Sequence, residues 1–185
     1  EVVVGFTCIQ RINRIILKIK QQVIIMTKQI KWYADQYYHI YNRGHNHEPV
    51  IFSDNHYRFF LQKFTSYVLD YINVIAYVLI PTHFHFLVKI KSIESVYKYY
   101  FEKYPGREND EKIDIIHKII GNAFAALFNS YTKSINNQMN RTGSLFQGNC
   151  TRKIIENESY LQSVIAYIHS NPVKHGLGRI PDQND

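Results

Sequence analysis

Cysteine and long apolar runs are both scarce in this chain of 185 residues. Its two cysteines, Cys8 and Cys150, are too few for a disulfide framework or for a four-ligand zinc site built on cysteine. No apolar run approaches the roughly 18 residues that a membrane-spanning helix needs. The N-terminal apolar run follows Glu1 and precedes the basic residues, which is not the order of a secretory signal. We therefore expect a protein of the reducing cytoplasm with no membrane partner.

Positive charge and aromatic rings are abundant. The 22 Lys and Arg residues against 15 Asp and Glu leave a formal charge of +7, and aromatic residues make up 15% of the chain. Excess positive charge favours a polyanionic partner. Binders of single-stranded nucleic acid combine basic residues for phosphates with rings on which bases stack, although such rings are also ordinary core residues. Since 45% of the residues are hydrophobic, the chain can bury a core, and its composition is typical of a folded protein rather than of an intrinsically disordered one.

Runs rich in β-branched and aromatic residues predict an antiparallel sheet. Residues 37–43, 73–80 and 83–90 read as strands, and the last two are close enough in sequence to form a tight antiparallel pair. A further short strand is expected through residues 154 and 155. Residues 91–112 are rich in charge around a Pro-Gly break, which indicates a charged excursion or loop.

Apolar residues at steps of three and four predict three helices. The first covers residues 54–72 with Asp54 as its N-cap, the second covers 113–139, and the third runs from Glu158 to about Ser170 and stops before Pro172. The order of strands and helices predicts a single α+β domain of the ferredoxin-like (RRM-like) kind, with an antiparallel sheet and helices packed on one face.

The sequence His83-Phe84-His85 is the strongest local signal for chemistry. Because side chains alternate along a strand, the two histidines project from one face while the phenylalanine projects from the other. Two imidazoles on one face of a strand can hold one divalent metal ion. The second histidine pair, His45 and His47, lies in a polar loop where nothing orients the rings, so we interpret those two as solvated.

A second group of polar residues lies at the end of the last helix. Tyr167 and Asn171 are four residues apart, so a helix presents them on the same face. Lys174 and His175 follow closely and can supply positive charge or bind a phosphate. From these residues alone, a tyrosine packed at a helix end with an asparagine cap is an equally simple interpretation.

Four segments together carry a family resemblance. They are YHIYNRG (Tyr38 to Gly44), AYVLIPTHFHFLV (Ala76 to Val88), NRTGSLFQG (Asn140 to Gly148) and YIHSNPVKHGL (Tyr167 to Leu177). In this order they resemble the REP-associated tyrosine transposases, which belong to the single-tyrosine HUH transposase group (IS200-like transposases). The resemblance extends over roughly residues 37–177, and it divides the chain into an N-terminal extension (1–32), a transposase domain (33–178) and a tail (179–185). Whether residues 1–25 belong to the natural protein or lie upstream of a start at Met26 stays open.

The resemblance implies an activity and a site. The activity is DNA transposition by a metal-dependent endonuclease and strand transferase, which cuts single-stranded DNA near hairpins through a 5′-phosphotyrosine intermediate. Tyr167, on a C-terminal catalytic helix, corresponds to the nucleophile. His83, His85 and Asn171 correspond to the ligands of a Mg²⁺ or Mn²⁺ ion. Which ion is bound, and whether the protein acts as a monomer or a homodimer, stay open.

Several alternatives stand beside this assignment. Tyr131, late in the second helix, is the alternative nucleophile, although its place on an apolar stripe favours core packing. The function could instead be that of a non-catalytic binder of structured single-stranded DNA or RNA, or of a metal-dependent hydrolase that uses water and does not need Tyr167. The candidate DNA contacts are basic residues that can equally be surface charges, namely Arg43, Arg141, Arg152, Lys153, Lys174 and His175.

Overall fold

The computed structural model of the chain describes residues 30–107 and 115–177. Within these ranges the strands form one antiparallel sheet in the order β2-β3-β1-β4. The strands are β1 (Tyr37–Arg43), β2 (Ile72–Ile80), β3 (His83–Ile90) and β4 (Thr151–Ile154). The α-helices are α1 (Asp54–Val68), α2 (Ile93–Lys103), α3 (Ile115–Gln138) and α4 (Glu158–Lys174), and a single 3-10 turn covers His45–His47.

The predicted α+β fold is confirmed. With α2 and α4 set aside, the chain order is β1-α1-β2-β3-α3-β4, and the sheet order is that of a ferredoxin-like domain. The strand predicted at 37–43 has those bounds in the structure. The pair predicted at 73–80 and 83–90 is a hairpin joined by Pro81 and Thr82, with one further residue, Ile72, at its start.

Helices cover both faces of this sheet. On one face, α1 and α3 bury apolar residues at helical spacing, among them Phe60, Phe64 and Leu127, against the core side of the strands. On the other face, α4 buries Val164 and Ile168 in a smaller apolar cluster completed by Val78, Ile80, Leu87 and Ile155. Because both faces are covered, every residue of β3 except Lys89 is buried.

A β-bulge in β2 decides which residues meet α4. The pairing with β3 shifts between Val74 and Ala76, so that Ile75 is an extra residue without a direct partner. An inserted residue reverses the alternation of side chains beyond it. As a result Val78 and Ile80 project toward α4, beside the two histidines with which they pair.

Residues 93–103 form helix α2, so the prediction of a charged loop over 91–112 is wrong for this part. The Oγ atom of Ser92 caps the helix by accepting a hydrogen bond of 3.3 Å from the backbone N–H of Ser95. Val96 is fully buried beneath the charged surface of the helix, and the helix ends just before Pro105 and Gly106. Residues 108–112 lie outside the described residues.

Two helix boundaries also differ from prediction. Ser53, not Asp54, is the N-cap of α1, and this helix ends at Val68 because β2 already begins at Ile72. Helix α4 does not stop before Pro172 but continues to Lys174. A proline in the last turn removes only one backbone N–H donor. The end of α4 is instead set by Gly176 at φ +69°, where Gly176 N–H donates to Val173 O (3.0 Å) and Leu177 N–H donates to Pro172 O (2.8 Å).

The predicted N-terminal extension and C-terminal tail fall almost wholly outside the described residues, and the proposed domain boundaries stay predictions. Trp32, the last residue of the predicted extension, is buried and stacks on Phe124 with ring centroids 5.3 Å apart. No helix within residues 30–107 and 115–177 is long and apolar enough to cross a membrane.

Candidate active site

Strand pairing brings four polar side chains to the face of the sheet that α4 covers. His83 pairs with Arg43 and His85 pairs with Tyr41 across the β1–β3 ladder. Directly opposite residues project to the same face of an antiparallel pair, so all four stand together. Phe84 projects the other way and stacks on Phe128 in the main core. The histidines are therefore held by a strand that is anchored on its opposite face.

Both histidines are buried and neutral at pH 7. Burial lowers the pKa of His83 to about 4, and electrostatic repulsion from His175 and Arg43 acts in the same direction. Burial lowers the pKa of His85 to about 3, and the neighbouring His39 and His83 rings add to the shift. A neutral imidazole keeps the ring lone pair that a metal ion requires.

Helix α4 adds a phenol and an amide to these rings. The Tyr167 hydroxyl lies 3.4 Å from Nε2 of His85, and the two rings meet edge to face with centroids 5.0 Å apart. Tyr167 remains 37% exposed, whereas Asn171, one turn later, is 1% exposed. The i and i+4 positions of one helix thus present a hydroxyl that reagents can reach and an amide that is sealed beside the sheet.

Among the residues that the structure describes, neither the oxygen nor the nitrogen of the Asn171 amide forms a hydrogen bond of ordinary distance and angle. A weaker hydrogen-bonding contact between the amide and the His83 ring nevertheless opposes the fall in the pKa of that ring. Leaving a buried polar group unpaired costs about 1–3 kcal/mol, so a fold that keeps it there points to a partner for the amide. An amide oxygen and two neutral imidazoles are acceptable ligands for a divalent cation.

These residues fit the metal site that the sequence suggests. Among the described residues, no group of three or more His, Cys, Asp or Glu side chains is arranged to hold a metal ion. A cation held by His83 and His85 could take the Asn171 oxygen as a third protein ligand.

The site opens into a pocket of about 560 Å³. Its lining includes the two histidines and Tyr167 together with Tyr41, Arg43, Gln147, Thr151 and His175. Hydrogen-bond donors, a guanidinium group and aromatic rings thus surround the hydroxyl, which suits a nucleotide with its phosphate.

The six predicted DNA contacts divide into two groups. Arg43 and His175 line the pocket, Lys174 has its Nζ 5.1 Å from the centre of the Tyr167 ring, and Lys153 lies opposite His39 on the same face of the sheet. The structure does not bring the other two to the pocket. Arg141 forms a 2.9 Å ion pair with Glu48, and the Arg152 guanidinium packs 4.5 Å over the Trp32 ring on the opposite face.

Tyr131, the alternative nucleophile, lies in the main core. Its side chain is fully buried, and its hydroxyl donates a 2.8 Å hydrogen bond to the carbonyl oxygen of Val50. Burial also raises the pKa of this phenol. Since Phe60 packs against its ring on the face of the sheet that α1 and α3 cover, Tyr131 is separated from His83 and His85 by the sheet itself.

Sequence reasoning missed His39. Its Nε2 lies 3.0 Å from Nδ1 of His85, on the side of that ring opposite Tyr167. Burial lowers the pKa of His39 to about 4, and the positive charge of Lys153 acts in the same direction. Alternation in the predicted strand 37–43 placed His39 on the same face as Tyr41. The missing information was that this strand would lie beside β3.

Comparison with known proteins bears on the fold. No family model matches the chain, and no curated protein matches it. It is similar to the solved structure of a REP-associated tyrosine transposase bound to a REP hairpin, with a TM-score of 0.52 and 14% identity over 82% of this chain and 74% of that one. At this identity the likeness shows a shared fold.

Proposed function

We propose that this chain is an HUH-type single-tyrosine transposase, a metal-dependent endonuclease and strand transferase that cuts single-stranded DNA near hairpins. One observation carries the proposal: Tyr167 lines one pocket together with His83 and His85, its hydroxyl 3.4 Å from Nε2 of His85, and the buried Asn171 amide lies one turn further along the same helix. The fold supports the substrate class, since the similar solved transposase is bound to a REP hairpin.

Tyr167 performs the covalent step. Its phenolic oxygen attacks a backbone phosphorus, a new P–O bond forms to the tyrosine, and the bond from phosphorus to the 3′ oxygen of the neighbouring nucleotide breaks. The phenol gives up its proton and the leaving 3′ oxygen takes one up, so the products are a 5′-phosphotyrosine and a free 3′-OH. The reverse attack by another 3′-OH joins strands without an external energy source.

His83, His85 and Asn171 would hold a Mg²⁺ or Mn²⁺ ion through two ring nitrogens and one amide oxygen. When bound, the ion neutralises charge on the phosphate and so lowers the barrier to attack by an anion. Imidazole ligands suit Mn²⁺ better than Mg²⁺. The protein's own part is to keep both rings neutral by burial and to hold Asn171 rigidly within α4.

Basic residues around Tyr167 orient the DNA strand. Arg43 and His175 line the pocket and can bind the phosphates on either side of the scissile one. Lys174 lies over the Tyr167 ring, where its positive charge stabilises a developing phenolate. Tyr41, half-buried in the same pocket, offers a ring on which a base can stack.

The test is a denaturing gel of purified protein incubated with a panel of labelled single-stranded hairpins and Mn²⁺ or Mg²⁺. Tyr167→Phe is compared with Tyr99→Phe, a matched control on α2. Both tyrosines are 37% exposed and both carry a lysine Nζ over the ring, at 5.1 Å for Tyr167 and 4.8 Å for Tyr99. We expect a metal-dependent adduct that survives denaturation in the wild type and in Tyr99→Phe, and that is absent in Tyr167→Phe.

Other outcomes overturn the proposal in distinguishable ways. Cleavage without an adduct would indicate a hydrolase that activates water, with Tyr167 dispensable. Binding across the panel with neither cleavage nor adduct would indicate a non-catalytic binder of structured single strands. An adduct that persists in Tyr167→Phe and disappears in Tyr131→Phe would move the nucleophile to the core helix.

A further inference from the structure

His39 and His85 form a buried pair of imidazoles. Their rings are stacked with centroids 5.1 Å apart at an angle of 29°, and Nε2 of His39 lies 3.0 Å from Nδ1 of His85. Each side chain is only 8% exposed. At this nitrogen–nitrogen distance one atom must carry the proton and the other must accept it, because two N–H groups or two lone pairs would repel.

The position of that proton decides what the other side of His85 can do. If Nε2 of His39 donates, then Nδ1 of His85 is the acceptor, and in a neutral ring its Nε2 carries a hydrogen. If Nδ1 of His85 donates instead, its Nε2 presents a lone pair. That Nε2 is the atom 3.4 Å from the Tyr167 hydroxyl, so only the second arrangement leaves it able to bind a cation.

We propose that His39 is a positioning residue that accepts the Nδ1–H of His85 and thereby keeps the Nε2 lone pair of His85 directed at Tyr167 and the cation position. The inference rests on the proposed function. Histidines that bind metal ions almost always donate their second ring N–H to a partner that fixes the tautomer and the ring orientation. In this chain a neutral imidazole takes the place of the usual carboxylate or carbonyl oxygen.

The fold keeps His39 suited to this role. It lies in the middle of β1, between two paired strands, opposite Leu87 of β3 and Lys153 of β4. The rings of Tyr41 and Tyr167 pack against it, with centroids 5.1 Å and 6.2 Å away. Its imidazole therefore has little freedom to turn away, and the contact with His85 is the hydrogen bond that the structure gives its Nε2.

Two measurements test the inference. The first is ¹⁵N NMR of the histidine rings in the metal-free wild-type protein at neutral pH, which reports which nitrogen carries hydrogen. The second is the affinity for Mn²⁺, measured by electron paramagnetic resonance of the free ion, for wild type, His39→Phe, His39→Gln and the exposed control His45→Phe. Circular dichroism and thermal melting verify that each variant is folded.

We expect His85 to be protonated on Nδ1 in the wild type. His39→Phe, which offers no acceptor, should weaken Mn²⁺ binding by about 10- to 100-fold. His39→Gln, whose amide oxygen can accept the same bond, should recover most of that loss, and His45→Phe should bind as the wild type does. Recovery by glutamine separates positioning through the hydrogen bond from simple packing.

Protonation of His85 on Nε2 in the wild type would overturn the inference, as would equal Mn²⁺ affinity of His39→Phe and wild type. If His39→Phe does not fold, the wild-type NMR spectrum and the Mn²⁺ affinity of His39→Gln still test the inference. The proposed function fails separately, if the wild type neither binds Mn²⁺ nor forms a DNA adduct. In that case the position of the proton, read in metal-free protein, still tests the pairing of the two rings.

Discussion

Acid should destabilise the metal-free protein through three buried histidines. Burial lowers the pKa of His39 and His83 to about 4 and that of His85 to about 3. In the unfolded chain each ring titrates near pH 6.5. As the pH falls below about 6.5, the unfolded chain binds protons that the folded protein does not, and the unfolded state is stabilised. The stability present above that pH is therefore lost progressively until the folded-state pKa values are reached.

The magnitude follows from proton linkage. Each proton bound only by the unfolded state lowers the free energy of unfolding by about 1.4 kcal/mol per pH unit. A histidine whose pKa falls from 6.5 to about 4 thus contributes at most about 3 kcal/mol over the whole window. Because part of the His85 shift comes from its neighbours His39 and His83, the three contributions do not simply add. We expect a total loss larger than that of one ring, about 3 kcal/mol, and smaller than the simple sum over the three rings, about 11 kcal/mol, which is a large part of the stability of an ordinary domain.

The assay is urea unfolding in the presence of a chelator, from about pH 7.5 to about pH 4.5. His85→Gln should make the pH dependence shallower by nearly one proton, about 1.4 kcal/mol per pH unit near pH 5.5. The control His45→Gln removes an exposed histidine from the 3-10 turn. Its free energy of unfolding should depend on pH with the same slope as that of the wild type. If His85→Gln and wild type show the same slope, the His85 ring is protonated in the folded protein, and our account of the site as neutral imidazoles is refuted.

Three further substitutions and one control test other contacts. Asn171→Leu should raise the free energy of unfolding of the metal-free protein by about 1–2 kcal/mol in urea titrations, because it removes a buried amide without a well-formed hydrogen bond. The same substitution should abolish the rise in melting temperature that Mn²⁺ gives to the wild type. A destabilised variant would show that the amide has a partner. Tyr131→Phe should cost about 1–2 kcal/mol through loss of the bond to the Val50 carbonyl, with adduct formation on the gel retained. Ile168→Ala should lower the free energy of unfolding by about 2–5 kcal/mol and should lower the yield of the DNA adduct. The control Ile93→Ala, at an exposed position, should change the free energy of unfolding by no more than about 0.5 kcal/mol. Equal effects of the two substitutions would mean that α4 does not depend on its apolar contacts with the sheet.

Local patterns in the sequence were sufficient for most of the fold. Alternation and β-branched residues predicted the strand at 37–43 and the hairpin, and helical spacing predicted three helices, because these signals depend on neighbours within a few residues. Helix α2 was missed because its charged surface outweighed the single buried Val96. The end of α4 was misplaced because Pro172 is an obvious signal, whereas Gly176, which ends the helix through its backbone bonds, is recognised only once its positive φ is known.

The candidate site was predictable to the extent that it depends on one element at a time. Alternation placed His83 and His85 together, and the four-residue step paired Tyr167 with Asn171. Predicting the contacts between different strands and helices requires the order and register of the strands in the sheet. That β1 lies beside β3, and so brings His39 against His85, follows from no short-range pattern. For the same reason the sequence could not distinguish basic residues that face the pocket from Arg152, which faces the core.

The apolar cluster under α4 fixes the geometry of the polar residues above it. Val164 and Ile168 pack against β2 and β3, and their positions on the helix determine where the next residues project. Successive residues of a helix are rotated by about 100°, so a shift of α4 by one residue would carry Tyr167 away from His85 and expose Asn171. The bulge in β2 provides the other half of this cluster, because it directs Val78 and Ile80 toward the helix. The burial that stabilises α4 is therefore also what holds the buried Asn171 amide and the half-exposed Tyr167 phenol beside two neutral imidazoles.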